Sequence, residues 1–111
     1  MSNSPTQHQS QVFARQTSDI LLDTKSVLIR PERPFTLTSG RISPVYVDCR
    51  RLIGFPQERA KLIQMAVAHL KSFHAQFDAV AGGETAGIAW AAWIAEKLDL
   101  PMAYIRKKPK G

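Results

Sequence analysis

The spacing of hydrophobic positions changes several times along the chain, and each change predicts an element. Residues 1–11 are polar and Gln/Ser-rich and read as a frayed tail. Val12, Phe13, Ile20 and Leu21 then fall on one side of a helical projection, which predicts an amphipathic helix over 12–24 with Asp19 and Asp23 on its wet face. Val27-Leu28-Ile29 predicts a short strand ended by Pro31 and Pro34, which lack backbone donors and fix φ. Phe35-Thr36-Leu37-Thr38 alternates as a half-buried strand does, Ser39-Gly40 turns the chain, and Val45-Tyr46-Val47-Asp48 reads as the returning strand. The expectation is a small antiparallel hairpin carried outside the main unit.

Pro56 suits the first turn of a helix running to about Phe73. Ile63, Ala66, Val67, Leu70, Phe73 and Phe77 recur at three- and four-residue spacing as one buried stripe. A strand over 77–81, a tight turn at Gly82-Gly83-Glu84-Thr85, a helix over 86–98 and a strand over 102–105 complete the pattern. Strand, crossover helix and strand in so short a span imply parallel pairing with a right-handed connection. The fold class is therefore α/β. Parallel sheets need cover on both faces, so two strands alone read as an unfinished sheet that exposes apolar surface.

Composition narrows the picture. Apolar residues make up 44% of the 111 residues, too many for a disordered chain and ordinary for a globular domain. No apolar run approaches the ~20 residues of a bilayer span, and the polar start is unlike a secretory signal. A lone Cys49 has no internal disulfide partner and no activating base in view, so it reads as a buried thiol in a reducing, cytoplasmic setting. Of the net charge of +6, four positive charges come from Arg106, Lys107, Lys108 and Lys110, and the remainder of the chain carries only +2. That confinement argues against a nucleic-acid binder.

Three segments could carry chemistry. Gly82-Gly83-Glu84-Thr85-Ala86-Gly87-Ile88 joins a strand to a helix, where small residues expose amides and the helix dipole favours an anion. Glycine there also serves geometry alone, and Glu84 reads either as a cap or as a contact to a divalent ion; Thr85 can cap the same helix. Arg106-Lys107-Lys108-Pro109-Lys110-Gly111 follows a strand, where ligands of open α/β sheets gather; the alternative is a solvated basic run. The hairpin over 35–48 places hydroxyls, Arg41 and Tyr46 near one turn and could close over a flat polar ligand, or simply pack. His8, His69 and His74 fit no metal spacing, and Trp90 and Trp93 share a helix face suited to a core or a subunit contact.

In this order and at these separations, the three segments resemble the orotate phosphoribosyltransferase family. Phe35-Thr36-Leu37-Thr38-Ser39-Gly40-Arg41-Ile42-Ser43-Pro44 is similar to the family's F-T-L-x-S-G-x-x-S-P hairpin. The run from Val80 to Ile88 is similar to its first core strand and following loop, and the run from Tyr104 to Gly111 to its R-K-x-x-K-x-G segment. The resemblance covers residues 12–111, the span it implies for one domain, an incomplete type I phosphoribosyltransferase fold of hood and first βαβ unit. It implies transfer of a phosphoribosyl group from phosphoribosyl pyrophosphate (PRPP), with Mg²⁺, to orotate, giving orotidine 5′-phosphate and pyrophosphate on the way to UMP, in a cytoplasmic homodimer. It implies that Arg106, Lys107 and Lys110 bind PRPP, with Lys107 catalytic and reaching the neighbouring subunit's site. It further implies that Tyr46 and Val47 lie against orotate and that Gly83, Glu84, Thr85 and Ala86 form the pyrophosphate-side loop, with no metal ligand from the protein.

The chain departs from the family pattern at named points. Thr38 stands where many members carry a substrate-touching lysine, and Thr85-Ala86 where others carry Tyr-Lys, so the resemblance does not carry those contacts over. The family's ribose-phosphate motif, an apolar strand leading to two acidic residues and a Thr/Gly-rich turn, does not occur in these residues. The expectation is that these residues alone are catalytically inert. The second reading is a non-catalytic module of the same fold that binds a ligand or dimerises.

Overall fold

The computed structural model describes residues 5–73 and 76–110. In chain order it contains α1 (Pro5–Asp23), β1 (Val27–Ile29), β2 (Phe35–Thr36), β3 (Ile42–Ser43), β4 (Val45–Val47), a 3-10 turn (Arg51–Gly54), α2 (Pro56–Lys71), β5 (Val80–Gly83), α3 (Ala86–Leu98) and β6 (Met102–Ile105). The class is α/β, as the sequence implies.

α1 begins at Pro5 rather than near Val12, so residues 5–11, read as a tail, are helical. Periodicity could not signal this stretch, because residues 7–11 are all exposed and no apolar stripe marks them; glutamine is nonetheless a good helix former. The other end of α1 is fixed by buried polar groups. The Thr24 hydroxyl donates to Ile20 O at 2.8 Å and shares a 2.7 Å hydrogen bond with Ser26 Oγ. Asp48 N donates to Ser26 O at 2.7 Å, and Arg51 Nε to Thr24 O at 2.6 Å. One knot thus ties α1, β1, the end of β4 and the 3-10 turn together, with every buried polar side-chain atom among the described residues satisfied.

The hood differs from the expected hairpin. β4 pairs antiparallel with β1, in the register Val27↔Val47, Leu28↔Tyr46 and Ile29↔Val45, and not with 35–38. β2 instead pairs with β3 as Phe35↔Ser43 and Thr36↔Ile42. The cause is local. Gly40, at φ +89°, donates to Leu37 O, and Leu37 N donates to Arg41 O, so the turn closes tightly. Pro44 has no N–H for the ladder, and Ser43 Oγ accepts from Val45 N at 3.1 Å. The chain is redirected there, and Arg30 N donates to Pro44 O at 2.7 Å to start the second pairing.

α2 starts at Pro56, as expected, and Arg59 Nη1 anchors it to Ile53 O at 2.6 Å. Its stripe is shorter than the spacing suggests. Ile63 is buried and Ala66, Val67 and Leu70 are half-buried, but Phe73 and Phe77 lie beyond the helix end, 49% and 40% exposed, packed on each other at 6.5 Å. Cys49, expected to be buried, is exposed, because it follows β4 into an open turn. His69 is exposed beside the Phe73 ring; His74 lies outside the described residues.

The βαβ unit has the expected parallel pair, in register from Val80↔Met102 to Gly83↔Ile105. β5 is shifted, however: Gly82 and Gly83, read as a turn, are its last strand residues. Close packing explains the glycine. A Cβ on Gly82 would stand 2.2 Å from Gly87 O and 2.7 Å from the Ala91 Cβ, so only glycine lets α3 lie this close to the strand. Ala91 and Ala95 are buried on α3, whereas Tyr104 and Ile105 on β6 are 56% and 62% exposed. The radius of gyration, 16.4 Å, exceeds the ~13 Å of a compact chain of this length.

Candidate functional site

Parallel pairing brings the carboxyl ends of β5 and β6 side by side, and with them two of the three segments singled out above. The ladder extends one residue beyond Gly83: Glu84 N donates to Ile105 O at 2.9 Å. The Glu84 side chain then turns toward β6, and its Oε2 accepts the Lys107 amide at 3.2 Å. Glu84 is half-buried while residues 106–110 are all exposed.

These bonds revise two expectations about the loop. Glu84 is bound to the lysine segment rather than to the start of α3. Thr85 occupies the N-cap position, but its side chain makes no capping bond; its carbonyl accepts from Ile88 N at 3.2 Å. The Glu84–Thr85 peptide is cis. Gly83 has open space where a side chain would stand, in contrast to Gly82 beneath α3.

Gly83, Glu84, Thr85 and Ala86 are therefore brought together with Arg106 and Lys107, and Lys110 follows on the same exposed segment. Among the described residues, the ion pair present is Asp48 with Arg50 at 3.8 Å, so none of Arg106, Lys107, Lys108 and Lys110 has a carboxylate partner. The basic segment thus leaves the carboxyl end of a parallel sheet beside the turn that leads into α3. Such a place suits a multiply charged anion.

Tyr46 and Val47 lie on the other sheet. The Tyr46 ring packs 5.6 Å from that of Phe35, and the Arg30 guanidinium covers Phe35 at 3.9 Å. Tyr46 is half-buried and Val47 is 47% exposed. No hydrogen bond or ring contact among the described residues joins them to the loop from Gly83 to Ala86. Arg30 escaped the sequence reading, because its place over Phe35 depends on the β1–β4 pairing, which no local pattern announces. A groove of about 550 Å³ between α2 and α3, floored by Ile63 and Trp93 and edged by Arg59 and Lys97, is lined by none of these residues. Its Trp93 ring meets Trp90, outside the lining, edge to face at 5.6 Å, and the Arg59 guanidinium lies 4.6 Å from the Trp93 ring centre. No described helix is long and apolar enough to cross a membrane.

No family model matches the chain. Over 102 residues, 89% of its length, it is 55% identical to the orotate phosphoribosyltransferase of Cereibacter sphaeroides, of which it spans 44%. The orotate phosphoribosyltransferase of Sinorhizobium medicae is 48% identical over 102 residues, with the same 44% spanned. Among solved structures, orotate phosphoribosyltransferase from Aeropyrum pernix matches with a TM-score of 0.71 at 35% identity, covering 85% of this chain and 51% of that one. The chain thus spans under half the length of the curated relatives it matches.

Proposed function

From this homology to part of the orotate phosphoribosyltransferases, whose type I fold it shares in part, we propose that the chain forms the hood and pyrophosphate grip of such an enzyme. In the reaction the bond from ribose C1 to the pyrophosphate oxygen breaks, a bond from C1 to the orotate ring nitrogen forms, and pyrophosphate leaves with the proton that this nitrogen gives up. Negative charge grows on the departing oxygens, so preorganised cations there lower the barrier.

The observation that carries the reading is the meeting of the two loops, which sets Arg106 and Lys107 beside the open end of β5 at Gly83 and the bend that follows it. Arg106 and Lys110 hold PRPP, and Lys107 neutralises the leaving group. The loop from Gly83 to Ala86 faces the pyrophosphate, whose approach Gly83 leaves unobstructed, while the Glu84 amide is itself spent on Ile105 O. Tyr46 and Val47 supply an apolar surface for the orotate ring. The described residues hold no group of three His, Cys, Asp or Glu that could ligate a metal, and Glu84 is engaged by an amide, so they do not fit a resident ion. Mg²⁺ would be held by the PRPP phosphates and not by these residues. The reading includes a cytoplasmic homodimer.

Calorimetric titration of the 111-residue chain with PRPP and Mg²⁺ tests this. Saturable binding without turnover of orotate is expected, with Lys107→Ala weakening it about tenfold or more. Absence of saturation, or binding indifferent to that substitution, overturns the reading.

A further inference from the structure

Glu84 is an unexpected residue at an anion site, since a carboxylate beside a pyrophosphate repels it. Its contacts supply a different role. One residue makes two bonds to the same strand end, donating through its N–H to Ile105 O at 2.9 Å and accepting through Oε2 from Lys107 N at 3.2 Å. Ile105 and Lys107 flank Arg106, so both neighbours of that arginine are fixed by Glu84. Among the described residues no further backbone hydrogen bond ties 106–110 to the β5–α3 loop. The carboxylate is the last tether before the exposed basic segment.

Building on the phosphoribosyl-transfer reading, we propose that Glu84 is a positioning residue, a bracket that aims Arg106 and Lys107 at the Gly83 bend, and not a ligand for substrate or metal. What matters is then the acceptor oxygen rather than the negative charge. Glu84→Gln keeps an acceptor at that place and lifts the repulsion; Glu84→Leu keeps bulk and loses the acceptor.

Amide hydrogen exchange by NMR and titration with pyrophosphate and Mg²⁺, on the 111-residue chain, separate these roles. The Lys107 amide is expected to exchange as slowly in Glu84→Gln as in the native chain and about tenfold or more faster in Glu84→Leu. Pyrophosphate affinity is expected to hold or rise in the Gln variant and to fall about tenfold in the Leu variant. Val80 N, bonded to Pro101 O at 2.9 Å, is the folding control; if Glu84→Leu loses it, Glu84→Ser, too short to reach Lys107, takes its place. Native exchange at Lys107 in the Leu variant overturns the proposal, as does native affinity once the tether is lost. A native chain that ignores pyrophosphate but keeps the exchange pattern counts against the transferase reading and leaves the bracket standing.

Discussion

The antiparallel pair β1–β4 and the parallel pair β5–β6 are each two strands wide, yet different forces hold them. In the hood the strands are fixed from their ends by hydrogen bonds: Thr24, Ser26, Asp48 and Arg51 knot the chain, and Leu28, Ile29, Val45 and Val47 remain exposed. In the βαβ unit hydrogen-bonding side chains play little part. There the strand is held by the close approach of α3, which the missing side chain of Gly82 makes possible and which buries Ala91 and Ala95. A surface built on polar anchors tolerates changes along its strands, while one built on missing side chains tolerates almost none at the contact. The second arrangement carries the loop from Gly83 to Ala86.

Four substitutions sharpen that contrast, in falling order of effect. Gly82→Val forces atoms into Gly87 and Ala91 and is expected to cost more than the ~1–3 kcal/mol of ordinary overpacking, seen as loss of cooperative thermal unfolding. Ser26→Ala removes one partner from a fully buried hydroxyl pair, about 1–2 kcal/mol by urea denaturation; a silent result would deny the knot its role. Arg30→Ala removes the guanidinium over Phe35 and is expected to lower hood stability by about 0.5–1 kcal/mol in the same assay. Gly83→Ala, one residue from the most sensitive position, has open space around its Cβ and is expected to change stability by less than about 0.5 kcal/mol. If Gly82→Val and Gly83→Ala behaved alike, packing against α3 would not be what the first glycine is for.

How far each region could be read from sequence follows from the same difference. The bounds of α3 and β6 were legible, because Pro101 and the change from helical to strand spacing mark them. β5 was placed too early because paired glycines usually punctuate a chain, and their role against a helix is a tertiary fact. The hood strands were legible as strands but not as partners, since pairing depends on Pro44, on the Ser43 hydroxyl and on a knot spanning Thr24 to Arg51. Within the candidate site, the basic segment and the glycine loop were visible as residue runs, whereas the Glu84 bond to Lys107 joins positions too far apart for any spacing rule.

The claim on which the account rests is that the lysine segment and the Gly83 bend together close on a pyrophosphate group. An amide-resolved NMR titration of the 111-residue chain with PRPP and Mg²⁺ tests it most directly. The account predicts saturable shifts at the Gly83 to Ala86 amides and at Arg106 and Lys107, with the Trp93 indole unmoved. Shifts confined to the α2–α3 groove around Trp93, or none at the bend, would contradict it.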